Sequence, residues 1–296
     1  MTDQPDPATA AFVAHRNLLF TIAYELLGSA ADAEDVLQET WLRWVGVDLE
    51  SVRDHRAYLI RITSRQALNR LRTVGRQRET YIGEWLPEPL LTTPDVAEDV
   101  ELADSVSMAM LHVMETLRPT ERAVFVLRDV FALEYDEIAA AVDKSPEAVR
   151  QIAHRARSHV ASRRPRGDIS PSEAKDALAA FQRALETGDL QSFLDLLAPD
   201  VVLIGDGGGV KQAVLRPIVG ADKVGRILSA GIPQHVGRVT AELIQLNGAP
   251  GLLIRLDGEI EQVAAFHLAD GRVTGMYVVR NPEKLSRLDA ATTLLR

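Results

Sequence analysis

The sequence predicts a multidomain chain in which two all-α modules precede a C-terminal α+β domain built on a curved antiparallel sheet. Three observations lead there. Apolar residues recur at three- and four-residue steps from Ala8 to Arg78 and again from Val100 to Val160, the signature of packed helices. A stretch holding Pro87, Pro89 and Pro94 separates those blocks and forbids a continuous helix. After Gly188, strand-like runs alternate with the hairpin dipeptides Asn247-Gly248, Asp257-Gly258 and Asp270-Gly271. At 296 residues the chain exceeds one average domain of roughly 100–200 residues and leaves each part room for its own core.

The first segment, 8–78, reads as several packed helices. Phe12, Leu19, Ile22, Ala23 and Leu26 lie on one face of the first, and Gly28 offers its stop. Ser29 and Asp32 stand where a cap is needed for AEDVLQETWLRWV. A linker is expected over 79–99. The second helical block, 100–163, ends in SRRPRGD, whose Arg, Pro and Gly mark another boundary. The third segment, 169–296, opens on a helix capped by Ser170 with Pro171 at its first position and closed by Gly188. Strands are expected at VVLIGD, VTAELIQL, GLLIRLDG, IEQVAAFHL and RVTGMYVV, forming a meander against helices. No internal repeat is visible.

Composition narrows the function. With no cysteine, disulfide scaffolds, thiolate metal sites and cysteine nucleophiles are excluded. The seven histidines form no His-x-x-x-His pair, so no metal and no cofactor are expected. No apolar run approaches the roughly 18–20 residues needed to cross a bilayer, and the acidic N-terminus lacks the apolar core of a secretory signal. A soluble, cytoplasmic protein without membrane partners, monomeric when free, is expected.

A net charge of −9 speaks against strong autonomous nucleic-acid binding. The charge is uneven, however: no Lys or Arg occurs from Glu79 to Leu117, whereas Glu147 to Arg166 holds six Arg against one acid.

The sharpest local motif is YDEIAAAVDKSPEAVRQIAHRARSHV. A helix over 135–142 carries Ile138 and Val142 on one face, Asp143-Lys144 makes a turn, Ser145 caps and Pro146 starts a second helix. Val149, Ile152, Ala153, Ala156 and Val160 share the inner stripe, leaving Glu147, Arg150, Gln151, His154, Arg155 and Arg157 outward. This is a helix-turn-helix whose outer face either reads base edges and phosphates or is a solvated basic surface.

Upstream, ADAEDVLQETWLRW at 31–44 resembles region two of sigma-70-family transcription initiation factors. That resemblance implies that Asp32, Asp35, Gln38, Glu39 and Trp41 dock on the β′ clamp of core RNA polymerase. A plain acidic amphipathic helix is the alternative. The following RDHRAYLIRITSRQALNRLR is similar to the segment that captures the melted minus-ten element, with His55 and Tyr58 for stacking and Arg61, Arg65, Asn69, Arg70 and Arg72 as its basic face. Some of these arginines could equally be solvated helix charges. The segment TLRPTERAVFVLRDVFALEYDEIA is similar to the opening of region four, which contacts the β flap, and the helix-turn-helix then becomes the minus-thirty-five reader, with Ser145 in its capping turn.

Region two, an acidic linker and region four in that order, without a region three, resemble the extracytoplasmic-function group. In that group the linker threads the polymerase where RNA will pass, so a negative strand in a basic channel or a solvated spacer are both open readings.

The third segment resembles the SnoaL-like cone fused to one group of these factors. The resemblance rests on WLPEPL (Trp85, Leu86, Pro87), on DGGG (Asp206, Gly207, Gly208, Gly209) with Lys211, and on NPEKL (Asn281, Pro282, Lys284). Val210 before the lysine and Glu283 in place of Asp depart from the pattern. The implication is control in cis through an interdomain regulatory seam. A competing reading makes the cone a small-molecule receptor or a cyclase- or isomerase-type enzyme around Asp206, His235 and His267, with a helical DNA-binding half. No acid–base spacing demands catalysis, so no enzyme is expected, and a pocket ligand stays open.

Overall fold

The computed structural model describes residues 6–78, 80–164, 171–288 and 291–296. The expected cap Ser170, the boundary residues 165–168 and the first linker position, Glu79, lie outside them.

In chain order the elements are α1 (Pro7–Leu27), α2 (Ala30–Trp44), α3 (His55–Arg78), α4 (Pro94–Glu98), α5 (Val100–Val106), α6 (Met108–Glu115) and α7 (Pro119–Phe125), the last continuing as a π turn. There follow α8 (Tyr135–Val142), α9 (Pro146–Arg163), α10 (Pro171–Thr187), α11 (Gln191–Leu194), β1 (Leu197–Asp206), β2 (Ile218–Val219) and α12 (Ala221–Gly231). The chain ends in β3 (Val239–Leu246), β4 (Ala249–Leu256), β5 (Glu259–Ala269), β6 (Arg272–Val279) and α13 (Pro282–Leu285). Two compact units result. The first comprises Met1–Glu79, Val113–Arg163 and Thr293–Arg296, the second Thr80–His112 and Arg164–Thr292.

In the first unit the second half of α1, Leu18 to Leu27, is buried on every side, so its apolar residues there run all round rather than in a stripe. Gly28 ends it in the left-handed conformation (φ 64°) and donates to the Tyr24 carbonyl at 2.6 Å. Ser29 caps α2 by accepting from Asp32 N at 3.2 Å. Trp44 is fully buried, and its indole N–H donates to the Ala8 carbonyl at 2.8 Å, tying the two helices together.

A charged hub lies at the C-terminal end of α1. Arg122, 1% exposed, donates through Nε and Nη2 to the Glu25 carbonyl at 3.0 and 2.8 Å, and Arg78 donates to the Leu27 carbonyl. Both guanidiniums also pair with Glu115. Positive charge at a helix C-terminus is favourable, and the shared carboxylate balances two cations that burial would otherwise penalise. Burial is the dominant influence on Arg78 and lowers its pKa from the usual guanidinium value. Replacing Glu115 with Ala strands both cations; the expected loss is about 3–5 kcal/mol of this unit's unfolding free energy in urea melts.

The second unit is built on one six-stranded sheet of order β2-β1-β6-β5-β4-β3. β3 to β6 form the antiparallel meander that the Asn-Gly and Asp-Gly dipeptides predict, with Asn247, Asp257 and Asp270 all at positive φ. β1 adds parallel to β6, and the short β2, not expected from the sequence, pairs antiparallel with β1. Register shifts at 197/202, 254/255 and 267/268 interrupt the ladders, and such bulges curve a sheet.

Both faces of this sheet are buried. One face, with Leu203, Leu252, Ile254, Ala264, Phe266 and Met276, packs on Leu178, Phe181, Phe193, Val224 and Leu228 of the helices that follow residue 171. The other face, with Ile204, Leu253, Val263, Ala265, Tyr277 and Val279, is covered by Leu86, Met108, Ala109, Leu285 and Leu288. The proline-containing stretch is therefore a structural layer of the second unit.

Candidate functional site

Four elements converge on one carboxylate in the second unit. Asp206, the last residue of β1, is fully buried. Its Oδ2 accepts from the Lys284 ammonium at 2.7 Å and from the Leu86 backbone N–H at 2.9 Å. Its Oδ1 accepts from the Tyr81 hydroxyl at 2.6 Å and from Gly208 N–H at 3.0 Å. Lys284 also donates to the Leu86 carbonyl, and its Nζ lies 3.9 Å from the centroid of the Trp85 ring and 5.2 Å from that of Tyr81. The ammonium thus sits between a carboxylate, a carbonyl and aromatic faces, all of which favour a cation.

The neighbouring signatures complete the clamp. Asn281 caps α13 by accepting from Glu283 N–H at 3.1 Å, and its amide donates to Tyr81 OH at 2.9 Å. Pro282 fits the first helical turn. A Cβ at Gly207 would stand 2.0 Å from the Lys211 carbonyl oxygen, and one at Gly208 would stand 2.4 Å from the Asn281 amide, so these two glycines permit the close approach. Gly209, at φ 72°, packs against Ile82. Burial, followed by the hydrogen bond to Asp206, raises the Tyr81 pKa well above the ordinary phenol value, and Tyr81 stays a donor.

The geometry sorts the sequence-derived seam residues. Trp85, Leu86, Asp206, Gly208, Asn281 and Lys284 meet directly, and Pro87 is buried beside them. Lys211 stands apart, paired with Glu261 at 2.8 Å; the extra Val210 lies in a turn in which Val210 and Lys211 both donate to the Gly207 carbonyl. Tyr81 escaped sequence reading because nothing in TYIGEW marks its hydroxyl as a bridge.

Asp206, His235 and His267 serve different local structures. Asp206 is spent on the clamp, His235 closes a 3-10 turn, and His267 bonds Thr274 at 2.8 Å. Burial lowers the His267 pKa from its ordinary value, favouring the neutral ring. Phe181, Phe193 and Phe266 form a ring cluster in the core of the cone, with centroids 4.6–5.6 Å apart. Among the described residues no group of three or more His, Cys, Asp or Glu side chains is gathered to hold a metal ion, and no helix is long and apolar enough to cross a membrane.

In the first unit the residues assigned to docking and to the minus-ten element partly face each other. Arg70 donates to Asp32 at 2.6 and 2.8 Å and to Asp35 at 3.3 Å, and the bond to Asp32 is the main cause of its raised pKa. Gln66 donates to Glu39 at 2.6 Å. Asp35 and Gln38 are exposed, while Trp41 meets Phe12 edge-on at 5.2 Å. His55 and Tyr58 pack on Trp44 at 5.3 and 5.8 Å, and Arg61 stacks over Tyr58 at 4.8 Å. Arg61, Arg65 and Asn69 line clefts along α3 that α8 shares through Ala140 and Ala141.

On α9, Ser145 accepts from Ala148 N–H at 3.3 Å, and Glu147, Arg150, Gln151 and His154 are exposed. Arg157 pairs with Asp129 at 2.6 Å, and Arg155 lies 3.9 Å from Glu121.

Breaking the Lys284–Asp206 pair leaves a buried carboxylate short of its cation. Lys284→Met is expected to cost about 3–5 kcal/mol in the second unit. Trp85 is the one tryptophan of that unit, so a fluorescence shift in a Trp41→Phe, Trp44→Phe background reads the opening.

Comparison with known proteins agrees with this anatomy. Residues 11–77 match the family described as Sigma-70 region 2 and residues 107–160 that described as Sigma-70, region 4. The chain is 36% identical over 290 residues to the ECF RNA polymerase sigma factor SigJ of Mycobacterium tuberculosis, covering 93% of this chain and 92% of that one. A probable ECF RNA polymerase sigma factor, SigI, of the same organism is 32% identical over 292 residues, with 97% and 98% covered. The crystal structure of the extracytoplasmic function sigma factor SigJ from M. tuberculosis superposes with a TM-score of 0.76 at 33% identity, over 95% of this chain and 99% of that one. Two helical sigma regions, a buried clamp on the segment between them and a chain-length likeness to such factors lead to one assignment: the chain belongs to the extracytoplasmic-function RNA polymerase sigma factors of the sigma-70 family.

Proposed function

We propose that this sigma factor docks on the polymerase β′ clamp through the exposed side chains of α2, reads the minus-ten element with α3 and the minus-thirty-five element with α9, and is controlled in cis by its C-terminal domain. The Asp206–Lys284 clamp carries the last part of this reading, because it joins the segment between the two sigma regions to the appended domain through buried charge.

Within the docking face, Asp35, Gln38 and Trp41 contact the polymerase, whereas Asp32 and Glu39 chiefly hold α2 on α3. His55, Tyr58, Arg61, Arg65 and Asn69 form the stacking and phosphate face for the melted strand, and Arg70 is engaged with Asp32. Arg150, Gln151 and His154 are the exposed readers of α9, Arg150 lying 3.8 Å from Glu147 and 5.4 Å from the Tyr135 ring centroid, with Ser145 and Glu147 at its N-terminal turn and Arg155 and Arg157 as phosphate contacts. Region four meets the β flap. The factor acts as a cytoplasmic protein, monomeric when free. Its role is regulation rather than catalysis, a reading supported by the commitment of Asp206 to structural bonds and by the phenyl cluster in the core of the cone.

A size argument adds a conformational step. The two promoter elements lie about 25 base pairs apart by their names, roughly 85 Å of duplex at about 3.4 Å per pair. A compact body of roughly 130 residues, the size of the first unit, has a radius of gyration of about 14 Å. The Glu115 hub and the α3–α8 contact must therefore open when both elements are engaged.

Reconstitution with core polymerase free of other sigma factors tests the reading. Promoter-specific transcripts are expected, and the absence of both core binding and transcription rejects it. Arg150→Ala and Gln151→Ala should each weaken minus-thirty-five binding by about 1–3 kcal/mol. Asp35→Ala with Gln38→Ala should weaken polymerase docking and leave promoter choice unchanged in run-off mapping.

A further inference from the structure

A second grip on the segment between the sigma regions lies at the opposite end of the sheet order from β2. Asn247, in the turn between β3 and β4, is fully buried with φ at 52°. Its side-chain oxygen accepts from Leu90 N–H at 2.9 Å, its amide donates to the Val106 carbonyl at 3.0 Å, and its own N–H donates to the Leu90 carbonyl at 2.9 Å. Gly248 N–H donates to Thr92 Oγ1 at 3.0 Å, and Thr92 N–H donates to the Gln245 carbonyl at 3.0 Å. Leu91 bridges Leu246 in antiparallel sense, so residues 90–92 add to the sheet edge at β3. A Cβ at Gly248 would stand 2.7 Å from Ala103 Cα, so the turn is fitted against α5 as well.

A hairpin turn normally faces water and satisfies only its own strands. Here a buried Asn side chain bonds two points sixteen residues apart, Leu90 and Val106. The contact therefore folds the intervening stretch back on itself.

That matters for reach. Fully extended at about 3.4 Å per residue, residues 79–106 span roughly 95 Å, close to the roughly 85 Å of duplex between the two promoter elements. Folded on the sheet, the same stretch cannot pay out to that length. We infer that the Asn247–Gly248 turn is a latch that keeps the tether between the sigma regions short, and that its release is a step in promoter engagement. The inference rests on control in cis by the C-terminal domain, and it gives that control a sign: the latch is a brake. Asn247 is a positioning residue and touches neither DNA nor polymerase.

The test uses the full chain with two variants. Asn247→Ala removes both side-chain bonds. Thr92→Val, isosteric and outside the C-terminal domain, removes only the acceptor for Gly248. Amide hydrogen exchange is read at Leu90 against Leu86, which the Asp206 clamp holds independently, and transcript yield is read with core polymerase on one promoter. Loss of two buried hydrogen bonds should speed Leu90 exchange by about tenfold or more, leave Leu86 and the β1 to β6 ladders protected, and raise transcript yield. Thr92→Val should do the same to a smaller extent. Unchanged Leu90 exchange, loosening of the whole sheet in both variants, or yield that stays level or falls overturns the latch. Lys284→Met separates the two ideas: if it alters yield and Asn247→Ala does not, the latch alone fails, whereas if neither alters yield although both free their segments, control in cis fails.

Discussion

Much of the second unit depends on one buried ion pair. An ammonium and a carboxylate withdrawn from water recover their hydration only if nearly every lone pair and proton is met. Asp206 and Lys284 meet that demand by recruiting groups from four places in the chain: Tyr81 and Leu86, the Gly208 turn, and Asn281 beside the lysine. None of these partners could move far without leaving a charge exposed to apolar surroundings. Joining the connecting segment to the appended domain is thus a requirement of electrostatics as much as of shape, and the apolar layer of Leu86, Met108 and Ala109 follows from where that pair pins the chain.

The first unit solves a parallel problem differently. There the Glu115 carboxylate is shared by two arginines that also cap the end of α1. The hub draws on residues from both sigma regions and so ties them together through buried charge. The contrast fits the proposal that the sigma regions part in use while the appended domain keeps its own core.

Much of this was legible in the sequence, and the rest was hidden for physical reasons. Helices, turns and the helix-turn-helix followed from periodicity and from Gly28, Ser29, Pro146 and the Asn-Gly and Asp-Gly pairs, all of which act locally. The signatures WLPEPL, DGGG and NPEKL marked the clamp, but Tyr81, Arg78 and Arg122 did not stand out and Asn247 read only as a turn residue, since each works through partners tens to hundreds of residues away. The clearest missed signal lay in the strands. VVLIGD, GLLIRL and VAAFHL are nearly continuous apolar runs, whereas a sheet with one wet face alternates. That texture already implied a second cover, and the residues 80–112 supply it. The pairing of Arg70 with Asp32 was equally invisible, because charge pattern alone does not distinguish a hand held out to DNA from one holding its neighbour.

The doubly covered sheet bears on what can be cut from this protein. Residues 169–296 look like a self-contained module on paper, yet excised at that boundary they would present Ile204, Leu253, Val263, Tyr277 and Val279 to solvent as one contiguous greasy plate. Such a fragment would self-associate or bind surfaces indiscriminately, and its behaviour would say little about the intact factor. The smallest piece that keeps its apolar surfaces dry is discontinuous in sequence, so transplanting this domain onto another protein means carrying residues 80–112 along with it.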